Sequence, residues 1–159
     1  MERLEILEAL KHLPNLIEAE TAGLSESVLR FRPNESEWSI KEVVGHARDY
    51  AELYQKRFSM IHSMPDPVLP ALPLAGEVES VKSHNYQDAD LKTLIAEIRT
   101  IRLQTVEVLM HTVDWTRIGQ QPGAGRRSLK QFAEGAIRHE AGHLEQIRGL
   151  KAQQKSAVG

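Results

Sequence analysis

Two histidines four residues apart, in the run His139-Glu140-Ala141-Gly142-His143, can share one metal ion if the run is helical. Positions i and i+4 stack on the same face of a helix. The spacing is that of a zinc protease, but such an enzyme takes its third ligand from downstream, as a Glu on a following helix or a further His. Here no His follows His143, and the one acidic residue after it, Glu145, is too close to return to the ion. The third ligand must come from earlier in the chain, and His46 is the best placed. Three neutral imidazoles suit zinc, nickel, iron or cobalt and leave coordination positions for water or substrate. Any one of these histidines alone reads more simply as an interior side chain satisfied by a hydrogen bond. Three together, without a shared partner, would be costly to bury. Because binding needs neutral imidazole, metal affinity is expected to weaken below the ordinary His pKa of about 6.5.

The elements that must position these residues read as helices. Leu4, Leu7, Leu10, Leu13, Leu16 and Ile17 recur at helical spacing, with Pro14 expected to start, kink or split that helix. Ser25 can cap a short turn to Arg30, and Phe31 to Asn34 reads as a loop. Ser39 with Glu42 forms a capping box, Trp38 before it serves as a hydrophobic staple, and the apolar stripe runs Ile40, Val43, Val44, Ala47, Ala51, Tyr54, Phe58 and Ile61. Four of the seven prolines fall between Pro65 and Pro73, so the connection to about Asp90 is irregular, a crossover or lid. Asp90 caps a third helix with Leu94, Ile95, Ile98, Ile101, Thr105, Val108 and Leu109 inward. Val113 to Arg127 is expected to be a second irregular stretch. Ser128 with Gln131 is another capping box, opening a last helix that buries Leu129, Phe132, Ala133, Ala136, Ile137, Leu144 and Ile147. No strand with period-2 alternation stands out. The reading is all-α: a four-helix bundle with a long crossover between helices two and three, forming one domain over 1–151, and a flexible tail at 152–159.

Composition narrows the function. The 159 residues are enough for one core, the formal charge of −2 comes without a basic stripe, and there is no cysteine. Nucleic-acid binding is therefore not expected, nor is a thiolate site or Cys nucleophile. The charged, periodic N-terminus is neither a secretory signal nor a membrane span, so a cytoplasmic protein without a membrane partner is expected.

The segments Trp38-Ser39-Ile40-Lys41-Glu42-Val43-Val44-Gly45-His46 and His139-Glu140-Ala141-Gly142-His143-Leu144-Glu145-Gln146-Ile147 together resemble the two signature segments of the DinB-like family. The Gly-Leu-Ser at Gly23, the Arg32-Pro33 pair and the Asp114-Trp115 turn add to the likeness, which covers most of the chain. The resemblance implies a DinB-type four-helix bundle whose histidine triad falls on His46, His139 and His143. It also implies zinc or nickel as the ion, and homodimers formed through the helices. Several relatives are transferases or isomerases that use a low-molecular-weight thiol such as bacillithiol, mycothiol or glutathione. One departure stands out: Gly142 lies where many relatives carry an additional His, read here as a non-ligand neighbour.

The function expected is a metal-dependent enzyme acting on a small-molecule substrate, a thiol S-transferase or hydrolase. The alternative is a non-catalytic, metal-stabilised bundle that binds a ligand or partner, marked by a fourth protein ligand such as Glu140. Glu140 is the candidate catalytic residue, as general base; it can equally orient a ligand or pair with an Arg. Glu42 either accepts the His46 ring N–H or serves the cap alone. Tyr50 and Tyr54 line a pocket or pack in the core. His12, His62, His84 and His111 are expected to be solvated, and Arg126 with Arg127 to be a basic turn or an anion contact. Gly135, Gly142 and Gly149 recur every seven residues, so a neighbouring helix, a partner subunit or a ligand is expected to approach that stripe.

Overall fold

The structure, a computed structural model, describes residues 1–71, 81 and 84–158. Four long helices form the frame: α1 (Arg3–Thr21), α3 (Ile40–Ser63), α4 (Leu91–His111) and α5 (Leu129–Val158). A short helix α2 (Glu26–Arg30) lies between α1 and α3, and a 3-10 turn (Tyr86–Asp88) precedes α4. α1 and α3 each pack on both α4 and α5, so they occupy opposite corners of a four-helix bundle. No described helix is long and apolar enough to cross a membrane.

The starts of these helices follow the sequence. Ser39 Oγ accepts the Glu42 N–H while Glu42 accepts the Ser39 N–H, which fixes the first residue of α3. Asp90 caps α4 through the Thr93 N–H, Ser25 caps α2 through Val28, and Ser128 and Gln131 cap α5 reciprocally. The α3 stripe is buried throughout, from Ile40 to Ile61. α1 runs unbroken through the buried Pro14, and its inward face is Ile6, Leu10, Leu13 and Ile17 rather than Leu4 and Leu16, which are exposed.

Two stretches differ from the sequence reading. Val113 to Arg127 is not wholly irregular: β1 (Ile118–Gln121) and β2 (Gly125–Ser128) pair antiparallel. Strands of four residues are too short to show a period-2 pattern, and their stability comes from outside the hairpin. Gln120 exchanges backbone hydrogen bonds with Pro67 and Leu69, and the Arg117 guanidinium donates to the Ile61 and Met64 carbonyls at the end of α3. Gly119 makes this contact possible, since a Cβ there would lie 2.8 Å from Leu69. The hairpin thus ties the beginning of the crossover to the start of α5. The rest of the crossover reading falls on residues 72–80 and 82–83, outside the described residues. The second difference is at the C-terminus, where α5 continues to Val158, past the boundary placed at 151. Lys151 donates to the Glu20 carbonyl and carboxylate, and Gln154 donates to the Val28 carbonyl, so α1 and α2 hold this last part of the helix.

Candidate metal centre

His46 sits midway along the buried face of α3, and His139 and His143 lie one turn apart on α5, the adjacent corner. Their imidazoles meet: ring centroids are 4.8 Å apart for His46 and His143, 5.6 Å for His46 and His139, and 4.3 Å for His139 and His143. One ring nitrogen from each lies within 4.8 Å of the other two. Aromatic neighbours hold the cluster in place. Tyr50 stacks on His139 at 4.2 Å and packs on His46 at 4.3 Å, and Trp38 covers the other side of His46 at 4.5 Å. Gly45, next to His46, lets the Tyr86 ring lie directly on α3, where a Cβ would approach the ring to 2.2 Å. Tyr86 is anchored there by donating to Asp49 at 2.5 Å.

The protonation states suit a metal. Burial, followed by the nearby His143 and His139, pushes the His46 pKa down to about 3. Burial, His143 and the Arg102 guanidinium push that of His139 down to about 4. Both rings are therefore neutral ligands at physiological pH. For these two rings proton competition therefore lies near pH 3–4, below the value of about 6.5 of an ordinary histidine. His143 Nδ1 donates to Gln146 Oε1 at 2.8 Å, which leaves Nε2 as the atom with a lone pair. The buried Nδ1 of His139 has no hydrogen-bond partner among the described residues. Ligand nitrogens around a four-coordinate zinc lie about 3.4 Å apart, given Zn–N bonds of about 2.0–2.1 Å. Side-chain movement of about 1 Å brings this cluster to that geometry, so the residues fit the ion.

A cavity of about 490 Å³ opens onto all three histidines. Trp38, Val43 and Leu150 form its apolar walls; Gln146, Gln153 and Glu37 supply its polar groups.

Glu140 does not line this cavity. Only 2% exposed, it forms a salt bridge with Arg102, itself 1% exposed, across the diagonal of the bundle from α4. Burial pushes the Arg102 pKa down to about 10. Glu42 serves the α3 cap and receives two hydrogen bonds from Arg32, at 2.6 and 2.8 Å, rather than supporting His46. His12, His62, His84 and His111 are exposed. Arg126 pairs with Asp66. Tyr50 packs against the cluster, and the buried Tyr54 stacks on Phe58. The glycine stripe corrects one expectation, because no neighbouring helix crowds it. A Cβ at Gly142 or Gly149 would meet nothing within 4 Å, and Gly149 borders the cavity.

Sequence reasoning passed over Gln146 and Arg102. Gln146 had a visible signal, three residues after His143 and hence on the same face. Arg102 interrupts the apolar stripe between Ile98 and Thr105, and a charge at a core position calls for a buried partner.

The profile of the DinB superfamily matches residues 9–147, and the chain belongs to that superfamily. Among solved structures, YfiT from Bacillus subtilis, described as a probable metal-dependent hydrolase with an unusual four-helix bundle topology, shares the fold. It is 16% identical, with a TM-score of 0.86 over 97% of this chain and 88% of that one. No curated protein matches the sequence.

Proposed function

We propose that this member of the DinB superfamily holds one divalent transition metal, zinc or nickel, on His46, His139 and His143 and uses it in a hydrolytic reaction on a small molecule. The observation that carries the reading is the convergence of three imidazoles at the wall of an open cavity of about 490 Å³. A closed structural site takes four protein ligands, and here the nearest carboxylate in sequence, Glu140, is engaged by Arg102 instead. This speaks against the non-catalytic alternative, whose mark was a fourth ligand. The same ion pair weighs against Glu140 as general base. The description of YfiT as a probable hydrolase favours the same class of reaction, with thiol S-transfer as its nearest variant.

When bound, the ion would supply Lewis-acid activation of a water or thiol nucleophile. The protein's own contribution is positional. Gln146 fixes the tautomer and direction of His143. Tyr50 and Trp38 immobilise the His46 and His139 rings and keep bulk water from one side of them. Val43 and Leu150 give the substrate an apolar surface beside the reacting centre.

The homodimer implied by the resemblance belongs to the same proposal and is checked by light scattering. The catalytic reading is tested by screening ester, amide and thiol-transfer substrates with apo, zinc-loaded and nickel-loaded protein. Turnover that requires the metal and is lost in His143→Ala supports it. Stoichiometric metal binding with no metal-dependent turnover in any class would leave the non-catalytic bundle as the better account.

A further inference from the structure

The histidine cavity has a direction. Five of its lining residues, His143, Gln146, Gly149, Leu150 and Gln153, follow one another along the same face of α5. The ten steps from His143 to Gln153 rise about 15 Å at 1.5 Å per residue. The facing wall is the segment Ser36 to Trp38, with Val43 beneath it. The cavity is therefore a trench that begins at the imidazoles and runs toward the C-terminal part of α5.

Gly149 lies on this trench, and no contact among the described residues explains it. Glycine is among the poorest helix formers, and a Cβ at this position would meet no heavy atom within 4 Å. Where close packing does demand glycine, at Gly45, the neighbouring ring is 2.2 Å from the same test atom. What a side chain at 149 would occupy is the trench itself.

The trench also has a charge. Apart from the histidines its described lining carries one ionisable residue, the exposed Glu37, and no described lysine or arginine. A carboxylate or phosphate on a ligand meets no described cation in this lining and one like charge.

We infer that the site takes an elongated small molecule, with an electron-rich group at the histidines and a neutral or cationic tail lying along α5 past Gly149, opposite the wall that carries Glu37. This rests on the metal reading above and adds the shape and charge of the substrate to it. Gly149 sets how far the tail can extend, and Glu37 sets which charge it can bear.

The test is calorimetry on zinc-loaded protein with three thiols sharing one metal-binding head: cysteamine, 6-amino-1-hexanethiol and 6-mercaptohexanoate. Zinc binding is titrated first, so that its failure identifies the metal reading as the error and takes this inference with it. In the wild type, the long amine binds more tightly than the long carboxylate by about threefold, the scale of one exposed charge pair. Glu37→Gln abolishes that preference. Gly149→Leu, a helix-favouring change into open space, weakens the long amine by about tenfold, as a sterically filled pocket predicts. Cysteamine, too short to reach position 149, is unaffected, and zinc stoichiometry is unchanged. Unaltered binding of the long amine to Gly149→Leu overturns the tail site. Equal or tighter binding of the carboxylate in the wild type overturns the charge assignment.

Discussion

Residues 139 and 140 are neighbours on α5, point about 100° apart as successive helical residues must, and enter two contrasting buried polar regions. On one side, His139 joins His46 and His143 at the wall of a cavity, with burial holding two of the rings neutral. On the other, Glu140 meets Arg102 across the bundle, charge against charge, with no cavity between them. The ion pair sets opposite charges against each other inside the bundle, away from the cavity. Neutral imidazoles that converge beside open space remain accessible to something that enters. Burial alone does not mark a functional site; here one buried polar cluster borders a cavity and the other is sealed inside the bundle.

The sharpest way to break this comparison is to remove one partner from each region. Arg102→Met leaves the Glu140 carboxylate buried without its counter-charge and is expected to cost about 3–5 kcal/mol in chemical denaturation. The double replacement Arg102→Met with Glu140→Leu recovers most of that loss and keeps metal binding. If the double variant loses the metal, the two regions are not separable. His143→Ala behaves in the opposite way: metal affinity falls by at least about a hundredfold, beyond the effect of a residue that only supports a ligand, while metal-free stability changes little. Gln146→Leu is intermediate, with a loss in metal affinity of about 10–100-fold that Gln146→Glu largely restores, since either Oε1 can accept from His143 Nδ1.

The smallest effect is in pH. His46 and His139 stay neutral in the fold down to about pH 3 and about pH 4, whereas the unfolded chain takes up their protons near pH 6.5. Their contribution to metal-free stability is therefore complete above pH 6.5 and declines as the pH falls from there toward about 4. Denaturation midpoints at pH 7.5 and 5.5 should show the decline, and His46→Gln should reduce it.

The bundle was legible because its signals are local. Ser39 with Glu42, Ser128 with Gln131, and Asp90 mark helix starts within a single turn, and the α3 stripe fixes a face by spacing alone. The three histidines were legible because two share a helix face and the third lies at the edge of a second helix's buried stripe. What local spacing does not carry is the partner of a long side chain. The sequence leaves Glu140 with three roles, and only the opposing α4 supplies Arg102 and chooses among them. The β1–β2 hairpin was hidden for a related reason, since its support comes from Pro67 and Leu69, about 50 residues earlier. The end of α5 was misplaced because Glu20 and Val28, which hold Lys151 and Gln154, are equally remote in the chain.

The central claim is that His46, His139 and His143 act together as one metal site, and zinc titration of the metal-free protein by calorimetry, beside His46→Ala and His143→Ala, tests it most directly. The account predicts one zinc per chain in the wild type, with both variants, one on each helix, losing that binding. Wild-type protein with no affinity for zinc or nickel, or variants that keep the full stoichiometry and affinity, would contradict it.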